Sequence, residues 1–241
     1  MHSAKWDHSV ELAGKTVGVI GTGSTSIQII PQLQKICKKV IVFMRSPTYV
    51  SPPFGTGALS SQLAQDLNKN VANRQYAFTE EQKQKFKEDR AYHLQFRKTI
   101  EAEICALWQA YKRDGTLNNG FRAVITEEMH RRIGPGHERL KEFIVPDWSP
   151  GCRRISPGDG YLEALVQPNV KCVYGEIERA TTTGLISKGD GQEHYIDVLV
   201  CATGFQPGFR PPFSVMNGNG HTVEQDWGDG INMYFGISAP R

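Results

Sequence analysis

One short stretch, Val17-Gly18-Val19-Ile20-Gly21-Thr22-Gly23-Ser24-Thr25-Ser26, restricts the fold more than any other. Thr16 to Ile20 has the β-branched composition of a buried strand. Two glycines follow at once, and Ile27, Ile30, Leu33 and Ile36 then recur at helical spacing. That order is strand, glycine turn, helix, and a second strand at Val40 to Phe43 completes a β-α-β unit. Gly21 suits the tight turn, and Gly23 lets a pyrophosphate approach the backbone. The helix start beyond offers free N–H groups and a positive dipole end. Ser26 stands where a third glycine is usual, and the bland alternative is a surface turn. The flanking strands and helix favour a dinucleotide site.

The end of the second strand bears on which dinucleotide. An NAD site places an acidic residue there to bond the ribose hydroxyls, whereas this chain reads Phe43-Met44-Arg45-Ser46-Pro47. Arg45 suits a 2'-phosphate, so NADP is the expected ligand; a solvated loop arginine is the alternative.

The chain of 241 residues has room for one large or two small domains. Its 39% hydrophobic and 22% charged residues exclude a disordered or fibrous protein. A net charge of +3, with basic and acidic residues interleaved, does not imply nucleic acid. No apolar run has the length of a membrane span, and Met1 to Asp7 has no signal-peptide core, so the cytoplasmic compartment is expected. Five scattered cysteines without a CxxC pair imply no metal site and read as reduced packing residues.

Residues 1–14 are a polar lead. Pro31 inside the first helix predicts a kink or a break. Residues 46–57 read as a Pro- and Gly-rich loop, and about 60–143 as a helical insertion. Within the insertion, Thr79 is the expected cap of a helix opening Glu80-Glu81-Gln82. Phe96, Ile100, Ile104, Leu107 and Tyr111 form one apolar stripe, read as core, on a helix that Gly115 stops. A further helix is expected from Phe121 to Ile133, ending at Gly134-Pro135-Gly136. Strands are expected at Val170 to Tyr174, Ile177 to Thr182, Leu185 to Lys188 and Tyr195 to Cys201, with no closing helix or strand beyond. The expected architecture is α/β: a Rossmann-like NADP-binding domain with a helical insertion between its two halves. Its parts are 1–14 as linker, 15–50 and 145–210 as the two halves, 51–144 as insertion, and 211–241 as a C-terminal linker.

Several motifs then converge. Gly21 to Gln28, Phe43 to Pro47, Gly151-Cys152-Arg153-Arg154 and Asp197 to Phe205 resemble the NADPH domain of the flavin-containing monooxygenases, most closely the Baeyer-Villiger type. His2-Ser3-Ala4-Lys5-Trp6-Asp7 is similar to the H-x-x-x-W-[PD] ending of that branch's fingerprint. The stretch Gly151 to Leu165, with Gly158-Asp159-Gly160-Tyr161-Leu162-Glu163, is similar to fungal members associated with secondary metabolism.

The resemblance implies cofactor contacts at Gly21, Thr22, Gly23, Ser24, Thr25, Ser26, Gln28, Arg45, Ser46, Arg153, Ala202, Thr203 and Gly204. It implies a catalytic Arg154, whose guanidinium stabilises negative charge on the oxygen being transferred, and a 2'-phosphate role for Arg153 beside Arg45. Asp197 reads as a structural residue at its strand start, and His2 and Trp6 as hinge residues between two nucleotide domains. The implied cofactors are NADP(H) and, in the complete family enzyme, FAD; the implied substrate is a small-molecule ketone. The opening F-x-G of the fingerprint and the FAD-binding domain are not in this sequence. A fragment, a shortened gene model and a natural remnant all fit, and a separate FAD-binding portion is a possible partner. Two other readings stay open: a non-catalytic NADP(H)-binding module, and a flavin-independent NADPH reductase. The lack of a Tyr-x-x-x-Lys pair argues against the latter.

Overall fold

The computed structural model describes residues 1–51, 78–113, 115–205, 213–227, 230 and 233–235. Parts of the expected loop after residue 51, of the insertion, and of the C-terminal segment lie outside these. The chain divides into Met1–Thr203 and Gly204–Arg241.

In the first unit, β1 (Thr16–Ile20), β2 (Lys39–Met44), β5 (Val170–Tyr174) and β9 (Val198–Cys201) form a parallel sheet in the order β5-β2-β1-β9. Register runs Thr16 opposite Lys39, Val17 opposite Val198, and Val40 opposite Val170. The helix α1 (Ser24–Ile36) joins β1 to β2. β1 lies between the strand that follows it and the last strand of the unit, so connections diverge to either side at its carboxyl end. Ligands of open α/β sheets bind at that switch point.

Side chains alternate across β2, so its two faces fill two cores. Val40, Val42 and Met44 join Val17 and Val19 against Ile27, Ile30 and Leu33 of α1. Ile41 and Phe43 pack with Val173 and Leu185 under an antiparallel sheet of β6 (Ile177–Ala180), β7 (Gly184–Ser187) and β8 (Glu193–Tyr195). The expected strand Tyr195 to Cys201 is therefore two strands in two sheets. Between β8 and β9, Ile196 N–H donates to Thr183 O, and the Asp197 carboxylate accepts from Thr16 N–H at 2.7 Å. Asp197 thus has the structural role expected of it.

α1 runs unbroken through Pro31, which is buried on its core side. The ring's packing outweighs one lost hydrogen bond. Ile36, expected in the apolar stripe, is 52% exposed at the last turn. The loop after β2 contains β3 (Val50–Ser51), which pairs in parallel with β4 (Ser156–Pro157).

In the insertion, α2 (Glu80–Glu88) has the expected Thr79 cap: Gln82 N–H donates to Thr79 Oγ1, and Thr79 N–H donates back to Gln82 Oε1. α3 (Arg90–Ala106) begins at the Asp89 cap and passes into a 3-10 turn, Leu107–Tyr111. The expected core stripe is buried only at Phe96, which packs edge-on to Phe78. Ile104, still within the helix, is 40% exposed; Leu107 and Tyr111, at 38% and 36%, lie in the tighter 3-10 turn, which rotates them out of the helical phase. Gly115 caps the start of α4 (Thr116–Ile133) and does not stop α3. That helix ends where expected, with Gly134 N–H donating to His130 O. Two short helices follow: α5 (Glu138–Ile144), at the end of the stretch expected to be helical, and α6 (Tyr161–Leu165), for which the sequence gives no expectation. Arg132 of α4 joins to α6, bonding both Glu163 oxygens at 2.8 Å and the carbonyl of Gly158.

The unit from Gly204 holds α7 (Val223–Trp227) and an antiparallel bridge between Met216 and Thr222. The sequence predicts no element there. No helix among the described residues is long and apolar enough to cross a membrane.

Candidate dinucleotide site

The site is built at the carboxyl end of β1. Gly21 has φ +122°, and a Cβ there would lie 2.5 Å from the carbonyl oxygen of Ala202. Only glycine fits, because the conformation is left-handed in sign and the neighbour is backbone. Its N–H donates to Phe43 O, while Ala202 N–H donates to Ile20 O. The first crossing of the sheet and the β9 end are thereby brought together.

Gly23 is a different case. It caps α1 at φ −79° and ψ −176°, a conformation open to any residue, and an added Cβ would meet nothing within 4 Å. Nothing in the described chain requires glycine there. The open space leaves this backbone accessible to a group approaching from outside, and the first-turn N–H groups of α1 have no intrahelical acceptor. The residues present therefore fit a pyrophosphate.

The flanking side chains show which predicted residues face outward. Thr22 Oγ1 donates to Ser46 O at 2.8 Å, tying the glycine turn to the loop that carries Arg45. Ser26 is buried, and its Oγ donates back to Gly21 O at 2.7 Å. Its side chain braces the turn, leaving only its N–H for a ligand. Gln28 is exposed and donates to Ser24 O at 2.9 Å. Thr25 is half-buried, and Arg45 is exposed at the end of β2. Arg45 also lies near Glu176, whose carboxyl is held below its usual range chiefly by the hydrogen bond from Lys188 and only slightly by Arg45.

Ser24 Oγ lies 2.7 Å from Ser156 Oγ, which brings the segment after Arg153 and Arg154 to the start of α1. Ser156 was absent from the sequence-based site. Only its place in a two-residue strand after the arginines brings it here, and no local pattern signals that. Arg153 is exposed and stacks over Trp148, 4.3 Å from the ring centre; Arg154 is exposed. Thr203 is exposed, with its hydroxyl 3.4 Å from His2 Nε2. His2 bridges Cys201 beside β9, and the terminal amino group donates to Leu199 O. Gly204, first residue of the second unit, is exposed with φ +100°. Cys152 and Cys105 are exposed and free, contrary to their reading as packing residues.

A parallel sheet with its switch point at a glycine turn, and a helix start open to an external group, defines a Rossmann-type dinucleotide-binding fold. No family model matches the chain. FAD-binding monooxygenase tazF of Aspergillus terreus is 34% identical over 239 residues, covering 99% of this chain and 40% of that protein. FAD-binding monooxygenase moxY of Dothistroma septosporum is 30% identical, covering 100% of this chain and 36% of that protein. Among solved structures, oxidised steroid monooxygenase bound to NADP matches with a TM-score of 0.64 at 26% identity, over 98% of this chain and 48% of that one. A triple mutant of cyclohexanone monooxygenase from Rhodococcus sp. Phi1 bound to NADP+ matches with a TM-score of 0.64 at 25% identity. The chain is homologous to the NADPH-side portion of flavin-dependent monooxygenases of the Baeyer-Villiger type. It spans about two fifths of the length of these curated relatives, 36% to 40%.

Proposed function

We propose that this chain is the NADP(H)-binding portion of an FAD- and NADPH-dependent monooxygenase that inserts one oxygen atom into a ketone. The resemblance to fungal members supports a setting in secondary metabolism. The observation that carries the reading is Gly23: a glycine that neither backbone conformation nor packing requires, at the start of the helix after β1.

The Gly23 backbone and the N–H groups of Ser24, Thr25 and Ser26 receive the pyrophosphate at the dipole end of α1. Arg45 and Arg153 offer planar donors for a 2'-phosphate, which favours NADP over NAD. Arg154 stabilises negative charge that develops on the transferred oxygen. When bound, NADPH supplies hydride and FAD the oxygen-activating chemistry. The chain's own part is to hold, orient and neutralise.

The test is a single substitution. Gly23→Ala stays folded and loses NADP affinity; Gly23→Ala with undiminished affinity contradicts the reading.

A further inference from the structure

The backbone just ahead of Arg153 and Arg154 is held by side chains from outside its own loop. The hydroxyl of Tyr49, which lies between β2 and β3, is 2.8 Å from Trp148 O and 3.3 Å from Pro146 O. Arg122 of α4 donates to Pro146 O at 2.9 Å. Asn118, also of α4 and 1% exposed, donates to Pro150 O at 3.1 Å and to Ala110 O at 2.6 Å. Gly151 follows with φ +93°, and a Cβ on it would lie 2.5 Å from Tyr111 Cδ1. The carbonyls of Pro146, Trp148 and Pro150 are thus all fixed, and Arg153 then stacks on the ring of the central one, Trp148.

A surface loop ordinarily leaves its carbonyls to water. Burying Asn118 and Tyr49 to hold these has a cost that is offset only by the bonds they make. Burial pushes the Tyr49 pKa up, so the hydroxyl keeps its proton and donates at neutral pH. Two of the three donors come from the helical insertion and one from the segment after β2. The loop position therefore depends on the insertion being docked.

We propose that Tyr49, Asn118 and Arg122 are positioning residues that aim Arg153 and Arg154, and so couple the helical insertion to recognition of the 2'-phosphate. This rests on the reading of Arg153 as a 2'-phosphate contact. None of the three touches the cofactor in this account.

Tyr49→Phe removes the hydroxyl and keeps the ring, so packing is retained. Two readouts are taken on wild type, Tyr49→Phe, Arg153→Ala and the double variant: affinities for NADP and NAD, and the rate of trypsin cleavage after Arg153 and Arg154 in the folded protein. Tyr49→Phe is expected to weaken NADP roughly three- to ten-fold, the scale of one lost hydrogen bond, with NAD unchanged and cleavage faster. In the Arg153→Ala background it is expected to have no further effect on NADP. Equal loss for both dinucleotides, or unchanged discrimination in a protein that does discriminate through Arg153, overturns the proposal. If wild type binds both dinucleotides equally, the 2'-phosphate reading fails. The clamp is then judged by cleavage: faster cleavage in Tyr49→Phe upholds it, and an unchanged rate overturns it. Arg122→Ala serves as the second variant should Tyr49→Phe not fold.

Discussion

Two glycines two residues apart make opposite demands. Gly21 is fixed by the fold: its positive φ and the Ala202 carbonyl at 2.5 Å from an added Cβ leave no room for alanine. Gly21→Ala should cost about 3 kcal/mol in urea unfolding, combining the left-handed penalty with a forced backbone shift. Gly23→Ala, with open space and ordinary dihedrals, should cost no more than about 1 kcal/mol, the scale of placing alanine at an N-cap. Its larger effect should be on dinucleotide binding, so the two variants separate fold from function at neighbouring positions. The sequence assigns Gly21 to the tight turn and Gly23 to the approach of a pyrophosphate, but it does not contain the Ala202 carbonyl that makes Gly21 irreplaceable. It also marked Ser26 as a contact, and could not show that the hydroxyl turns inward to Gly21 O.

At the level of elements, the Arg132–Glu163 pair joins the insertion to the nucleotide-binding half. The guanidinium is buried, with 1% side-chain exposure, against 42% for Glu163. Glu163→Ala leaves that charge in place without its carboxylate and should destabilise by about 3 kcal/mol, read as a fall in the urea midpoint with unchanged slope. A neutral effect would mean that the insertion docks by other contacts. β1, α1, β2 and β5 were legible because each carries its own period and its own stop signal. β3 and β4 were not, since a two-residue pair is created by tertiary approach of Val50–Ser51 to Ser156–Pro157 and leaves no periodic trace. The break between β8 and β9 was hidden for a similar reason. Ile196 is an ordinary strand residue, and the Thr183 carbonyl that accepts from its N–H is reached only through the turn that follows β7. Asp197 is of a type depleted in strands, but its partner Thr16 is remote in sequence. The stripe from Phe96 to Tyr111 was legible as periodic, but its change from α-helix to 3-10 turn was not.

For the whole molecule, the parallel sheet and its switch point gather residues far apart in sequence: the glycine turn, the loop carrying Arg45, the segment after Arg154 and the end of β9. Homology to the NADPH side of flavin-dependent monooxygenases agrees with that arrangement. The central claim is that this arrangement selects NADP(H). Calorimetric titration of the purified chain with NADP and with NAD tests it most directly, with Arg45→Ala in parallel. The account predicts NADP tighter than NAD by about ten-fold or more, the scale of a charge-assisted contact to the 2'-phosphate, with the preference reduced in Arg45→Ala. Equal affinities, or no measurable binding of either dinucleotide, would contradict it.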